Sequence, residues 1–234
     1  MFAGRAGDRV VAEINARRLD SSLDSIIKLT GPDGKLLAFN DDREDPGSGL
    51  NTHHADSYVM ATLPAEGTYC VHVGDVARSG GEAYAYRLRI SAPQPDFALR
   101  VVPSSVALRS KSATALSVHV IRKDGFTGPI KLGLKDPPEG FSASPVSLSG
   151  AQEVARLNLR TTLTATQEPV TLCVQGSARI QGREVVRQGV PAEDRMQAFL
   201  WRHLVPAEDL RVTVFDPSFQ APPKRVSRVE IPRP

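Results

Sequence analysis

Apolar and polar residues alternate along many short stretches of this chain, with the period of two that belongs to half-buried β-strands. Val10, Ala12 and Ile14 face one way between Arg9 and Ile14, and Ile26 to Leu29 forms a second apolar run. Gly31-Pro32-Asp33-Gly34 then interrupts. Asp-Gly between two apolar runs predicts a hairpin turn, because glycine accepts the positive φ the turn demands, and Leu36 to Phe39 is the expected returning strand. Order resumes at Tyr58 to Leu63, turns at Pro64 to Gly67 and continues through Tyr69, Val71 and Val73. Tyr84, Tyr86, Leu88 and Ile90 alternate with Ala85, Arg87 and Arg89, predicting one last strand over Tyr84 to Ile90 and completing a meander.

Ala92-Pro93-Gln94-Pro95-Asp96 is the clearest linker in the chain, since its two prolines remove backbone donors and stiffen it toward an extended form. Beyond it the period-two pattern recurs at Phe97 to Val102, Leu116/Val118/Val120, Ile130 to Leu134, Ala155/Leu157/Leu159 and Val170/Leu172/Val174, with turns such as Lys123-Asp124-Gly125 between. The expected architecture is all-β. Two β-sandwiches stand in tandem, the first (1–92) joined by a linker (93–97) to the second (98–215), and a Pro-rich, basic tail (216–234) follows. Ala192 to His203, with Met196, Phe199 and Trp201, fits a short helix and an irregular strand equally well.

Composition changes this picture little. The chain has 234 residues, of which 41% are hydrophobic and 24% charged, enough to build folded cores. The first 92 residues hold 10 Lys/Arg against 13 Asp/Glu, and the remainder 19 against 13. The basic residues of the second half alternate with apolar ones instead of clustering with stacking aromatics, which argues against nucleic acid as a partner. No apolar run reaches the ~20 residues of a membrane span, so membrane insertion is not expected. Nor does an apolar signal region open the chain, which reads as an excised soluble piece, expected to be a monomer. Cys70 and Cys173 lie in separate halves without metal or redox spacing, and two unpaired thiols are expected.

Asn40 to Asp56 is polar and aperiodic, a long surface loop of the kind that carries function. Asn40, Asp41, Asp42, Glu44, Asp45 and Asp56 are the candidate ligands there for Ca²⁺, a hard cation that takes six to eight oxygens. The competing reading is that they solvate the loop and cap its turns. Asp24 and Asp75 either join that end of the sandwich or terminate strands. His53-His54-Ala55-Asp56-Ser57 collects the residue types of a hydrolytic site, but a triad needs convergence in space rather than adjacency in sequence, so no catalytic residue is assigned. No Gly-x-Ser-x-Gly, phosphate-cradling Gly-rich loop or His-Glu-x-x-His motif occurs. Tyr58, Tyr84, Tyr86 and Trp201 fit a stacking platform less well than they fit core positions.

Three segments of the first unit carry a family resemblance: FAGRAGDRVVAEI, LDSSLDSIIKLTGPDGKLLAFNDD, and the run from Asp56 through GTYCVHVGD to Ile90. Together they resemble the bacterial pre-peptidase C-terminal domain, an accessory module of secreted proteases related to the collagen-binding domain of clostridial collagenases. The resemblance implies a jelly-roll-like sandwich, export to the periplasm, cell surface or medium, and a binding or processing role. RKDGFTGPIKLGLKDPPEGFSAS in turn resembles the immunoglobulin-like domains of large planctomycete-type surface proteins. The expected function is a non-catalytic accessory module that contacts a protein or polysaccharide ligand beside an upstream domain of its parent protein. The alternatives are a pure spacer in a surface protein, an accessory or processing domain of a secreted protease, and a hydrolytic site at His53 to Ser57.

Overall fold

The structure is a computed structural model that describes residues 1–43, 55–150, 152–197 and 201–218. Seven strands come first: β1 (Phe2–Gly4), β2 (Arg9–Asn15), β3 (Ser25–Thr30), β4 (Leu36–Asn40), β5 (Tyr58–Thr62), β6 (Gly67–Asp75) and β7 (Arg87–Ser91). They make a four-stranded sheet, β1-β6-β3-β4, packed on a three-stranded one, β5-β2-β7. Val10, Ala12 and Ile14 of β2 point into the space between, where Ile27, Leu29, Val59, Leu63 and Tyr69 meet them. Gly34, at φ 75°, turns β3 into β4 as the Asp-Gly pattern predicts. Tyr69 is fully buried, and its hydroxyl donates to the Ala65 carbonyl at 2.6 Å, tying the Pro64 to Gly67 turn to the core.

Eleven further strands follow: β8 (Asp96–Val102), β9 (Ser105–Arg109), β10 (Ala113–Lys123), β11 (Ile130–Lys135), β12 (Phe141–Ala143), β13 (Val146–Leu148), β14 (Val154–Thr161), β15 (Val170–Ile180), β16 (Arg183–Gln197), β17 (Trp201–Pro206) and β18 (Leu210–Phe215). One run of strands, β12-β14-β10-β8, continues through the parallel pairing of β8 with β16 at Gly189–Pro191 into a second run, β16-β15-β11-β13, while β17 pairs with β16 and β18 joins β15 to β9. Strictly alternating side chains, such as Ala155, Leu157 and Leu159 of β14, fill the space between them with Leu99, Leu116, Val118, Ile130, Leu132 and Val174. The result is a second, all-β sandwich with its own core. The core of the second sandwich shares no residue with the two apolar clusters of the first.

Two segments depart from expectation. Tyr84 ends a short 3-10 turn, Glu82–Tyr84, entered through Gly81 at φ 133°, so the closing strand starts only at Arg87, and Tyr86 and Ile90 are exposed. In Ala192 to His203, whose sequence fits a helix and an irregular strand equally well, the described residues are regular strand: β16 and β17 pair antiparallel from Ala192↔Pro206 to Gln197↔Trp201. Both cysteines are free thiols, as expected.

Candidate functional site: the acidic end and the interdomain cleft

The acidic loop residues do not share one role. Asn40 closes β4 with both ends of its amide engaged, Nδ2 donating to the Asp42 carbonyl at 2.7 Å and Oδ1 accepting the Tyr58 N–H at 2.8 Å. Asp41 and Asp42 are exposed just beyond it, while Glu44 and Asp45 lie outside the described residues. Asp56, by contrast, is 1% exposed. Its Oδ1 accepts the N–H groups of Ala16 (3.0 Å) and Arg17 (2.8 Å), and its Oδ2 takes the Arg18 N–H (3.4 Å) and the Arg18 guanidinium (3.2 Å). These are the unpaired donors that open the 3-10 turn Arg17–Leu19, so Asp56 caps that turn from 40 residues away.

Ser57 is also fully buried. Its hydroxyl donates to the Ser25 carbonyl (2.5 Å), and its N–H reaches the Ser25 hydroxyl (2.8 Å), which in turn donates to the Ala55 carbonyl (2.9 Å). In the hydrolytic-looking run, Asp56 is thus a cap on the turn after β2 and Ser57 a brace against β3, both closed to a substrate. His53 and His54 lie outside the described residues.

Asp24 and Asp75 do sit at the same end of the first sandwich as Asp41 and Asp42. Burial pushes the Asp24 carboxyl above its usual value, and the charge of Asp42 pushes it further, with Asp75 and Asp41 adding and Arg17 opposing. Asp75 is held below the carboxylate range by the Ser79 and Asp24 N–H groups, which donate at 2.9 and 3.0 Å. Among the described residues no three His, Cys, Asp or Glu side chains are placed to hold one metal ion.

A second charged site was not visible in the sequence. The outer face of β5-β2-β7 ought to be wet, since Arg9, Val11, Glu13 and Asn15 alternate with the core residues of β2. Yet Val11 is fully buried and the Glu13 side chain only 13% exposed. The Lys123-Asp124-Gly125-Phe126 turn that follows β10 lies against this face, at Arg9, Tyr58, Met60 and Arg89. Asp124 and Gly125 both take positive φ (47° and 75°), and the Phe126 N–H closes the turn on the Lys123 carbonyl at 3.0 Å. A Cβ on Gly125 would lie 3.1 Å from the Arg9 guanidinium and 3.2 Å from the Met60 methyl, so this turn presses backbone against the first sandwich.

Asp124 is 5% exposed and takes four hydrogen bonds from the N-terminal side of the junction. Arg89 grips it with two nitrogens (2.8 and 3.0 Å), the Tyr58 hydroxyl donates at 3.1 Å, and the Gln94 N–H of the linker donates at 2.8 Å. Arg89 also donates to Glu13 at 2.9 Å, and Glu13 pairs with Arg43 at 2.9 Å and Arg18 at 3.7 Å. Arg43 in turn lies over the Tyr58 ring, 4.1 Å from its centre. Burial alone would raise the Asp124 pKa, but Arg89, the Gln94 N–H and the Tyr58 hydroxyl hold it below the usual range. The same burial, with Asp124 beside it, pushes the Tyr58 phenol up to about 12. A cleft of about 360 Å³ opens beside this network, lined by Glu13, Arg18, Arg43, Arg89, Asp96 and Asp124. Arg18, Arg43 and Arg89 face Glu13, Asp56 and Asp124 in balanced pairs, so the cations are spent on neighbours rather than presented to a ligand.

No family model matches the chain. A probable subtilase-type serine protease of Deinococcus radiodurans is 36% identical to it over 85 residues, 35% of this chain and 10% of that protein. The chain thus spans about a tenth of the length of that relative. Among solved structures it resembles the D00-D0 domain of intimin, at 13% identity, with a TM-score of 0.29 over 81% of this chain and 87% of that one, a likeness too loose to carry an assignment. Among the described residues no helix is long and apolar enough to cross a membrane. What the chain is similar to, over about a third of its length, is one small part of a subtilase-type protease.

Proposed function

We propose that this chain is a non-catalytic accessory segment of an exported bacterial protein, serving as a binding module beside a larger partner domain such as a subtilase-type protease. The observation that carries this reading is the 36% identity to a short part of such a protein. Asp56 and Ser57 support it from the structural side, because both are consumed inside the fold. The resemblance of 1–92 to the pre-peptidase C-terminal domain fits the same role, with a protein or polysaccharide as ligand. Retention of the full chain on collagen, gelatin and glycan arrays is the expected result. No retention on any of them would replace the binding module by a spacer, and hydrolysis of generic peptides or esters would overturn both.

Calcium is proposed as a stabilising ion at the acidic end, where burial first and then the charges of Asp42, Asp75 and Asp41 raise Asp24. Millimolar Ca²⁺, the range of weak extracellular sites, should raise Tm above that in matched NaCl, and Asp42→Asn should abolish the difference. Equal Tm in the two salts would remove calcium from the account.

A further inference from the structure

The Asp-Gly turn after β10 does more than reverse the chain. A turn that only links two strands of its own sandwich is satisfied locally and faces water. This one carries a carboxylate that is nearly fully buried, and each hydrogen bond described for it comes from the other side of the junction: Tyr58 from β5, Arg89 from β7 and Gln94 from the linker. Its glycine lies against β2 and β5 through Arg9 and Met60. Four points on three strands and one on the linker fix both position and rotation, whereas a single contact would leave a swivel.

We propose that Asp124 is the key of an interdomain lock, which holds the two sandwiches at one fixed angle while its carboxylate is ionised and frees them into a hinged pair when that charge is removed. The lock presents the first sandwich in a set direction whether the module binds a ligand or only spaces its parent protein. It also accounts for the Gln94 N–H: the prolines at 93 and 95 stiffen the linker, and Asp124 pins the residue between them.

The charged and titratable groups around Asp124 are known from each packed element. Arg89 and Tyr58 touch it, Arg9 approaches the neighbouring Gly125, Lys123 shares the turn, Glu13 stands behind Arg89, and Arg18 and Arg43 flank Glu13. Asp96, across the cleft, is held by Arg187 at 3.0 Å. The Asp124 pKa is lowered in the folded state, so its contribution to docking is complete above the usual carboxylate range and disappears as pH falls through the lowered value.

Pulsed electron spin resonance on the full chain tests the lock. Spin labels at Val76→Cys and Val186→Cys, both exposed positions, report the distance between the sandwiches in a Cys70→Ser, Cys173→Ser background. The expected result near neutral pH is one narrow distance distribution, which broadens at least about twofold in Asp124→Asn, with both sandwiches still folded by near-ultraviolet circular dichroism. Tyr58→Phe removes one of the four bonds and should broaden it less. An unchanged narrow distribution in Asp124→Asn overturns the proposal. So does loss of both folds together in that variant, since the separate cores must survive unlocking. A distribution in Tyr58→Phe wider than in Asp124→Asn would move the key from the carboxylate to the tyrosine, and would also overturn it.

Discussion

The chain contains two Asp-Gly turns that look alike in sequence, and they do different work. Asp33-Gly34 joins β3 to β4 at the surface, where the Asp33 carboxylate accepts the Lys35 N–H at 3.1 Å and pairs with the Lys35 ammonium at 3.0 Å, within its own turn. Its side chain is 54% exposed. Asp124-Gly125 has the same dipeptide and the same glycine φ of 75°, but its carboxylate is buried and bonded to residues 30 to 66 positions away. An Asp-Gly pair thus specifies the backbone reversal by itself, while what the aspartate does is set by what the turn is pressed against.

The largest expected difference is energetic. Asp124→Ala strands the Arg89 guanidinium, the Tyr58 hydroxyl and the Gln94 N–H, and breaking a largely buried, bidentate pair by removing one partner should cost about 3 kcal/mol. A double-mutant cycle between Asp124 and Arg89, read by chemical denaturation, should return a coupling well above 1 kcal/mol, at roughly the scale of other desolvated charge pairs. The matching cycle between Asp33 and Lys35 should return no resolvable coupling, as for most exposed ion pairs. Equal couplings in the two cycles would mean that burial at the junction contributes nothing, and the contrast would collapse.

That contrast also marks what was legible in the sequence. The alternation of Val10, Ala12 and Ile14, or of Leu116, Val118 and Val120, names the side of a strand that faces its own core, and those residues do. It is silent about a second cover on the other side, so nothing announced that Val11 would be buried or that Arg89 would find Asp124. The acidic loop shows the same limit from another angle. Asp56 has the composition of a cation ligand, but its partners are backbone N–H groups of a 3-10 turn near residue 17, and no side-chain pattern encodes backbone donors. In Tyr84 to Ile90 the period of two ran on into a segment that Gly81 had already bent into a turn, so periodicity overextended the strand. The β16–β17 pairing was hidden because no Gly, Asn or Asp stands between Gln197 and Trp201 to signal a reversal in the sequence.

A smaller difference should separate the two glycines. Gly34→Ala and Gly125→Ala each force an alanine into left-handed backbone, at about 1 kcal/mol apiece. A Cβ at Gly34 meets nothing within 4 Å, whereas at Gly125 it meets Arg9 and Met60. Both neighbours are ends of flexible side chains, which give way by a few tenths of an ångström, so Gly125→Ala should be the worse by well under about 1 kcal/mol. Thermal unfolding of the two variants side by side measures that margin. A Gly34→Ala chain as destabilised as Gly125→Ala would leave the close approach at the junction without energetic consequence.

The smallest effect is one of screening. Asp33 and Asp124 both titrate below the usual carboxylate value, Asp33 because Lys35 donates to it from side chain and backbone, and Asp124 because Arg89 and its companions outweigh burial. In each case the lowered value means stability present above the ordinary pKa and lost as pH falls through the folded one. Exposed charges are screened over about 3 Å at 1 M salt, whereas a desolvated, bidentate pair is screened much less. Carboxyl carbon shifts followed by NMR from about 0.05 to about 1 M NaCl should therefore show Asp33 climbing toward its ordinary value while Asp124 holds its place. If Asp124 climbed as well, water and ions would be reaching its carboxylate, and a group reached that easily could not hold two sandwiches at one angle.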